Sequence, residues 1–204
     1  MQLTPQQEDV LKETFNMGVG RASASIGELA QCEVSLTVPE AHICELSTLI
    51  SKISADEGAK LSAVIQGYSG PFEGTAMMLY SESASLDLVR LIMGSDTPSE
   101  QLSEMESDAL CEVGNIVLNA CLSSLGQLFD AQIETSLPEI ITGSTYDVLT
   151  LEGKLSPEKQ IVFLKMGFRV ATGQLQGYLS FILDTDKIQN LVDSLDRYYE
   201  KVCA

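Results

Sequence analysis

The chain has 204 residues, 45% hydrophobic and 20% charged, with 12 basic against 29 acidic side chains and a net charge of −17. That size suits one sizeable domain or two small ones, and the apolar-to-charged balance is that of a globular rather than a disordered chain. Nucleic acid and anionic membrane surfaces are excluded as main partners, because both would repel so acidic a protein.

The N-terminal "MQLTPQQEDV" lacks the basic-then-apolar order of a secretory signal, and no run of 18 apolar residues suggests a membrane span. A helix is predicted over roughly 5–30. Thr4 stands at its N-cap, Pro5 in the first turn and Gln7 three residues after the cap, the pattern of a capping box. A strand follows through "CEVSLTVPEAHI" (32–43), then a short irregular or helical connection. Strands "KLSAVIQGYSG" and "FEGTAMMLY" form a predicted hairpin, and a helix near 82–94 closes the first half. The second half gives the same order. Ser103 and Glu106 suggest a second capping box before a helix over 104–129, followed by a strand through "AQIETSLPEIIT" (131–142). The hairpin "KQIVFLKMGFRV" and "GQLQGYLSFIL" and a helix near 186–201 complete it.

The parallel extends to single residues. A shift of 99 lays Asp9 on Asp108, Glu13 on Glu112, Asn16 on Asn115 and Pro39 on Pro138. A shift of 103 then lays Gly74 on Gly177 and Leu88-Val89 on Leu191-Val192, as an insertion of four residues in the second copy requires. The expected fold is therefore a mixed α/β (α+β) one. It is a single domain over 1–204 with pseudo-twofold halves 1–99 and 100–204, in which both halves contribute to a six-stranded sheet and pack helices against it.

Asp9, Glu13 and Asn16, like Asp108, Glu112 and Asn115, follow steps of four and three, so each trio lines one helix face. Asparagine is a poor interior helix former, yet it recurs at the matching place in both copies. The face continues through Gly20 and Ser23 in one copy and Asn119 in the other, and small residues there would let another surface approach. No self-sufficient catalytic set accompanies the trios. The one histidine, His42, has no partner at metal-ligand spacing and reads as a structural residue, and "NMGVGRAS" is no dinucleotide fingerprint because it lies inside a helix. The five cysteines have no CxxC spacing and fit reduced thiols in a cytoplasm, Cys111 and Cys121 as small core residues. What remains is assisted chemistry: an Asn that orients a water and a Glu that anchors to a cation of the molecule acted upon. Phosphoryl transfer suits both.

The doubled signature Asp-x3-Glu-x2-Asn-x22-Pro resembles that of the CheC family of chemotaxis phosphatases, with the related CheX and FliY motor-switch families, over essentially the whole chain. The resemblance implies two long motif helices side by side on the six-stranded sheet. It also implies a phosphorylated CheY-like response regulator as substrate, with the acyl phosphate and Mg²⁺ in the regulator's own site and no cofactor in this chain. Asn16 and Asn115 would orient the attacking water, and Glu13 and Glu112 would pair with the regulator's lysine. Asp9 and Asp108 would support regulator binding, while Pro39 and Pro138 would shape the strands behind. The receptor deamidase CheD is a further implied partner. Arg21 departs from the family pattern and, if exposed, would bear on which regulator docks; Val117 and Asn119 replace both glycines of the first copy, so the two sites would differ in rate. Two other readings stay open: a binding module for CheD or phosphorylated regulator with little turnover, and a flagellar switch component. Internal duplication supplies the symmetry of a dimer and favours a monomer.

Overall fold

The computed structural model describes residues 3–203 apart from 58–59, 71–72, 94–98, 171–172 and 184. Helix α1 (Pro5–Ala30) starts at the capping box the sequence predicts: Thr4 accepts from the Gln7 N–H, and the Gln7 side chain accepts from the Thr4 N–H. The elements that follow are β1 (Val34–Glu45), α2 (Leu46–Glu57), β2 (Lys60–Ser69), β3 (Gly74–Ser81) and α3 (Glu82–Met93). The second half supplies α4 (Ser99–Phe129), β4 (Glu134–Thr135), β5 (Glu139–Ser144), α5 (Thr145–Leu149), β6 (Gln160–Val170), β7 (Gly173–Leu183) and α6 (Thr185–Cys203).

One sheet carries the order β1-β6-β7-β3-β2-β4, with β5 also on β2 and every pair antiparallel. The fold is mixed α+β. Because β4 and β5 are two pieces of one broken edge strand, the sheet has six strand positions. The first strand of each half pairs with the second strand of the other half, so the halves interlock through both edges. At the centre β3 meets β7 with Met77 opposite Ser180, and the shift of 103 carries the first of these onto the second. The pseudo-twofold axis therefore passes between β3 and β7.

Alternate residues of the inner strands enter two cores. Ala76, Met78 and Tyr80 of β3 and Val162, Leu164, Met166 and Phe168 of β6 face α1, α3, α4 and α6. Met77 and Leu79 with Ile161 and Phe163 face α2 and α5. A sheet covered on both faces explains why these strands read as near-continuous apolar runs. Strand β1 keeps its phase by a bulge. Val34, Leu36 and Val38 and then Ala41 and Ile43 all face the larger core, and the register with β6 slips between Thr37 and Glu40, where Pro39 lies.

Both motif helices end alike. Gln31 and its twin Asp130 take left-handed φ values of 51° and 52°, and the next N–H returns to the carbonyls of Gly27 and Gly126. Their starts differ. α4 begins at Ser99, so Ser103 lies within the helix and the second capping box does not form; Glu106 instead accepts from the Ser85 hydroxyl of α3 at 2.7 Å. No helix breaker separates residues 99 and 103, so the helix runs on upstream. By length and composition α4 could cross a membrane over Met105–Phe129, but Leu110, Val113, Val117, Leu118 and Leu122 are packed in the core.

Candidate functional site

α1 and α4 lie side by side, as expected, and a glycine sets how close they come. A Cβ on Gly18 would stand 2.8 Å from the Ser124 hydroxyl and 2.9 Å from the Ala120 carbonyl oxygen. Arg21, the departure noted in the sequence, crosses the same seam and donates to Ser124 Oγ at 2.6 Å. Its exposed guanidinium is thus tied to the neighbouring helix.

The two polar trios show the same gradient. Asp9, Glu13, Asp108 and Glu112 are exposed, whereas Asn16 and Asn115 are half-buried on the side toward the sheet. Asp9 pairs with Lys12 at 2.7 Å, and that hydrogen bond raises the lysine pKa above its usual value. Glu13 and Glu112 make no hydrogen bond or ion pair among the described residues, so each carboxylate is available to a cation brought by another molecule. Burial, and then the neighbouring Asp108 carboxylate, push the Cys111 thiol up, away from reactivity. Cys32, Cys44, Cys111 and Cys121 are all free thiols. His42 sits between Glu8 and Glu40, at 3.5 and 3.7 Å, away from both asparagines' contacts.

The asparagines themselves are held differently. Asn16 Oδ1 accepts from the Val38 N–H at 2.9 Å, and its Nδ2 donates to the Val38 carbonyl at 3.3 Å and the Lys12 carbonyl at 2.9 Å. Val38 and Pro39 have no β6 partner at the bulge, and the carboxamide pairs both backbone groups of Val38. Ser23, one of the small residues expected to admit another surface, accepts from the Leu36 N–H at 2.9 Å. Two alternate N–H groups of the edge strand β1 are thus covered by α1, which protects that edge from pairing with another chain.

In the second half Asn115 Oδ1 accepts from Asn119 Nδ2 at 2.7 Å, with Gln66 Nε2 reaching it at 3.5 Å. Gln66 Nε2 also donates to the Ser136 carbonyl at 2.8 Å and toward Asn119 Oδ1 at 3.3 Å, and Thr135 donates to the same Oδ1 at 3.0 Å. Leu137, the twin of buried Val38, is 85% exposed. Pro138 follows it in the gap between β4 and β5, as Pro39 follows Val38 in the bulge. The predicted strand over 131–142 breaks there. Because β1 and β4 are opposite edges of the sheet, the structure keeps the two trios apart as separate centres. Gln66 escaped the sequence reading; the available signal was one amide within the buried strand run "AVIQGY".

The family described as chemotaxis phosphatase CheX matches residues 62–157. The CheY-P phosphatase CheC of Bacillus subtilis is 25% identical over 138 residues, covering 66% of this chain and 66% of that protein. The chain is thus similar to members of the CheC, CheX and FliY families. The flagellar motor switch phosphatase FliY of the same organism is 22% identical over 175 residues, 85% of this chain but 44% of its own length. The chain thus spans about two thirds of one of these relatives and under half of the other. Among solved structures, Thermotoga maritima FliY matches with a TM-score of 0.76 at 21% identity, over 98% of this chain and 99% of that one. A CheX–CheY–BeF3–Mg²⁺ complex from Borrelia burgdorferi matches at 0.53 and 15% identity, over 84% and 96%. Both share the fold of this chain.

Proposed function

We propose that this chain is a cytoplasmic phosphatase of the aspartyl phosphate on a CheY-like response regulator. The observation that carries the reading is the twinned pair of exposed, unpartnered carboxylates, Glu13 and Glu112, each one turn before a half-buried asparagine. Nothing else among the described polar clusters combines a free carboxylate with a carboxamide at helix spacing, twice. A relative named CheY-P phosphatase and a fold relative solved with CheY support this substrate class.

In this reading each helix face docks on the regulator's phosphorylated site. The glutamate meets a lysine of the regulator and fixes the distance between the partners. The carboxamide of Asn16 or Asn115 holds a water in line with the phosphorus, donating to or accepting from it as the attack requires. The metal ion that neutralises the phosphoryl oxygens belongs to the regulator, and this chain supplies no cofactor. Asp9 and Asp108 sit one turn further out and contribute negative charge toward the regulator's cations.

A second reading, a binding module that holds phosphorylated regulator or CheD without turnover, is favoured by one observation: both ends of the Asn16 carboxamide are already engaged by backbone. Single-turnover loss of phosphate from a ³²P-labelled regulator separates the two. Acceleration by the wild-type chain, abolished in the Glu13→Ala, Asn16→Ala, Glu112→Ala, Asn115→Ala variant, supports catalysis; binding at an unchanged rate of phosphate loss selects the module.

A further inference from the structure

The internal duplication lets each half serve as a control for the other. Gly67 lies against the Ser136 hydroxyl as Gly167 lies against that of Thr37, and the twin of Ser136 is Thr37. These glycines are therefore structural equivalents, which makes Met166 the twin of Gln66; a shift of 99 makes Gly20 the twin of Asn119. In the first half the positions corresponding to Gln66 and Asn119 are an apolar residue and a glycine. Neither can hydrogen-bond a strand through its side chain, and there Asn16 itself holds the strand, its carboxamide bonded to both backbone groups of Val38 and to the Lys12 carbonyl. In the second half Gln66, 2% exposed, holds the edge strand through the Ser136 carbonyl, and Asn119 holds Asn115 Oδ1. Among the described residues Asn115 Nδ2 then donates to nothing.

We propose that Gln66, acting with Asn119, is a positioning residue of the second centre: it takes over the strand-holding task that Asn16 performs in the first half, and so frees the Asn115 carboxamide to meet a phosphorylated partner. The inference rests on the phosphatase reading for its consequence but not for its geometry. Two contacts make the division of labour specific. Gln66 Nε2 points one hydrogen at the strand and shares the other between the Asn119 and Asn115 oxygens, so strand and carboxamide are held by one group. Thr135 adds a second donor to Asn119 Oδ1, which fixes the Asn119 amide with its nitrogen toward Asn115. Removing Gln66 takes the donor from the Ser136 carbonyl and from the Asn115 and Asn119 oxygens together.

The test is Gln66→Met, which installs the residue of the twin position and keeps a buried side chain of similar size. In a Glu13→Ala background, where only the second centre works, the variant should lower kcat for regulator dephosphorylation roughly tenfold with KM within about twofold, the pattern of lost orientation rather than lost docking. In a Glu112→Ala background, where only the first centre works, it should change neither constant. An equal loss in both backgrounds would show a general structural role and overturn the proposal. Side-chain ¹⁵N–¹H spectra of the full chain read the geometry with no regulator present: Gln66→Met should shift the Asn115 and Asn119 amide resonances and leave those of Asn16 in place. Unmoved Asn115 resonances would overturn it even if the protein dephosphorylates regulators. If no regulator is dephosphorylated, the phosphatase reading fails, and the spectra alone decide whether Gln66 holds Asn115.

Discussion

Met77 and Ser180 face each other across the central strand pair, each the other's counterpart in the internal repeat. The first strand of each half and several helix contacts are exchanged between halves: β1 lies on β6, β5 on β2, the Gln7 side chain of α1 donates to Asp196 of α6, and Ser85 of α3 donates to Glu106 of α4. A half by itself would keep one hairpin and lose the partner of its first strand. Residues 1–99 or 100–204 expressed alone should therefore lack a cooperative thermal transition. Mixing the two from denaturant should restore one, read by circular dichroism.

The Asn16 latch should be visible in stability as well as activity. Asn16→Ala strips two backbone partners from Val38, and the expected loss is about 1–3 kcal/mol in urea unfolding, the cost of leaving buried backbone groups unpaired. Val38 amide exchange should quicken in the same variant. Asn115→Ala removes an acceptor of side-chain amides only, Asn119 Nδ2 and Gln66 Nε2, and strips no backbone group of a partner, so its loss should be smaller than that of Asn16→Ala.

Two glycines two residues apart make opposite predictions. At Gly18 a Cβ would press on the α4 backbone, so Gly18→Ala should destabilise by roughly 1–3 kcal/mol through forced separation of the motif helices. Around Gly20 there is open space, and in an exposed helix interior Gly20→Ala should stabilise by up to about 1 kcal/mol. Thermal melts of the two variants check both signs.

Cys121 is fully buried, and burial pushes its thiol from 9.0 up to about 12, against a small opposing pull from Arg21. It should resist alkylation in the native protein at pH 8 and react only after unfolding, with mass spectrometry as the readout. The folded pKa exceeds the unfolded one, so the folded state binds the proton more tightly. Its stabilising contribution is complete below about pH 9 and is lost as pH climbs toward 12. Cys121→Ala should flatten that part of the stability–pH curve.

Local signals in the sequence located much of this fold. Thr4, Pro5 and Gln7 mark the start of α1 because capping is decided within four residues, and the hairpins are marked by short apolar runs with turn residues between them. Ser103 and Glu106 carry the same local signal and mislead, because Ser85 on another helix takes the Glu106 carboxylate. The exchange of strands between halves was not legible, since alternation tells which side chains face inward and nothing about which strand lies alongside. Asp9, Glu13 and Asn16 were legible as a row, but not that Asn16 is tied to Val38 while Asn115 is held by Asn119. Gln66, which reaches Asn115 Oδ1 from 49 positions away in the sequence, is part of that difference and has no local signal.

The central claim is catalysis by the two Glu–Asn pairs, and the most direct measurement is the rate of phosphate loss from a phosphorylated CheY-like regulator at limiting concentrations of this protein. The account predicts multiple turnovers for the wild type, a partial loss in Asn16→Ala, a larger loss in Asn115→Ala and no acceleration when both asparagines are replaced. Undiminished turnover in the double variant would contradict it.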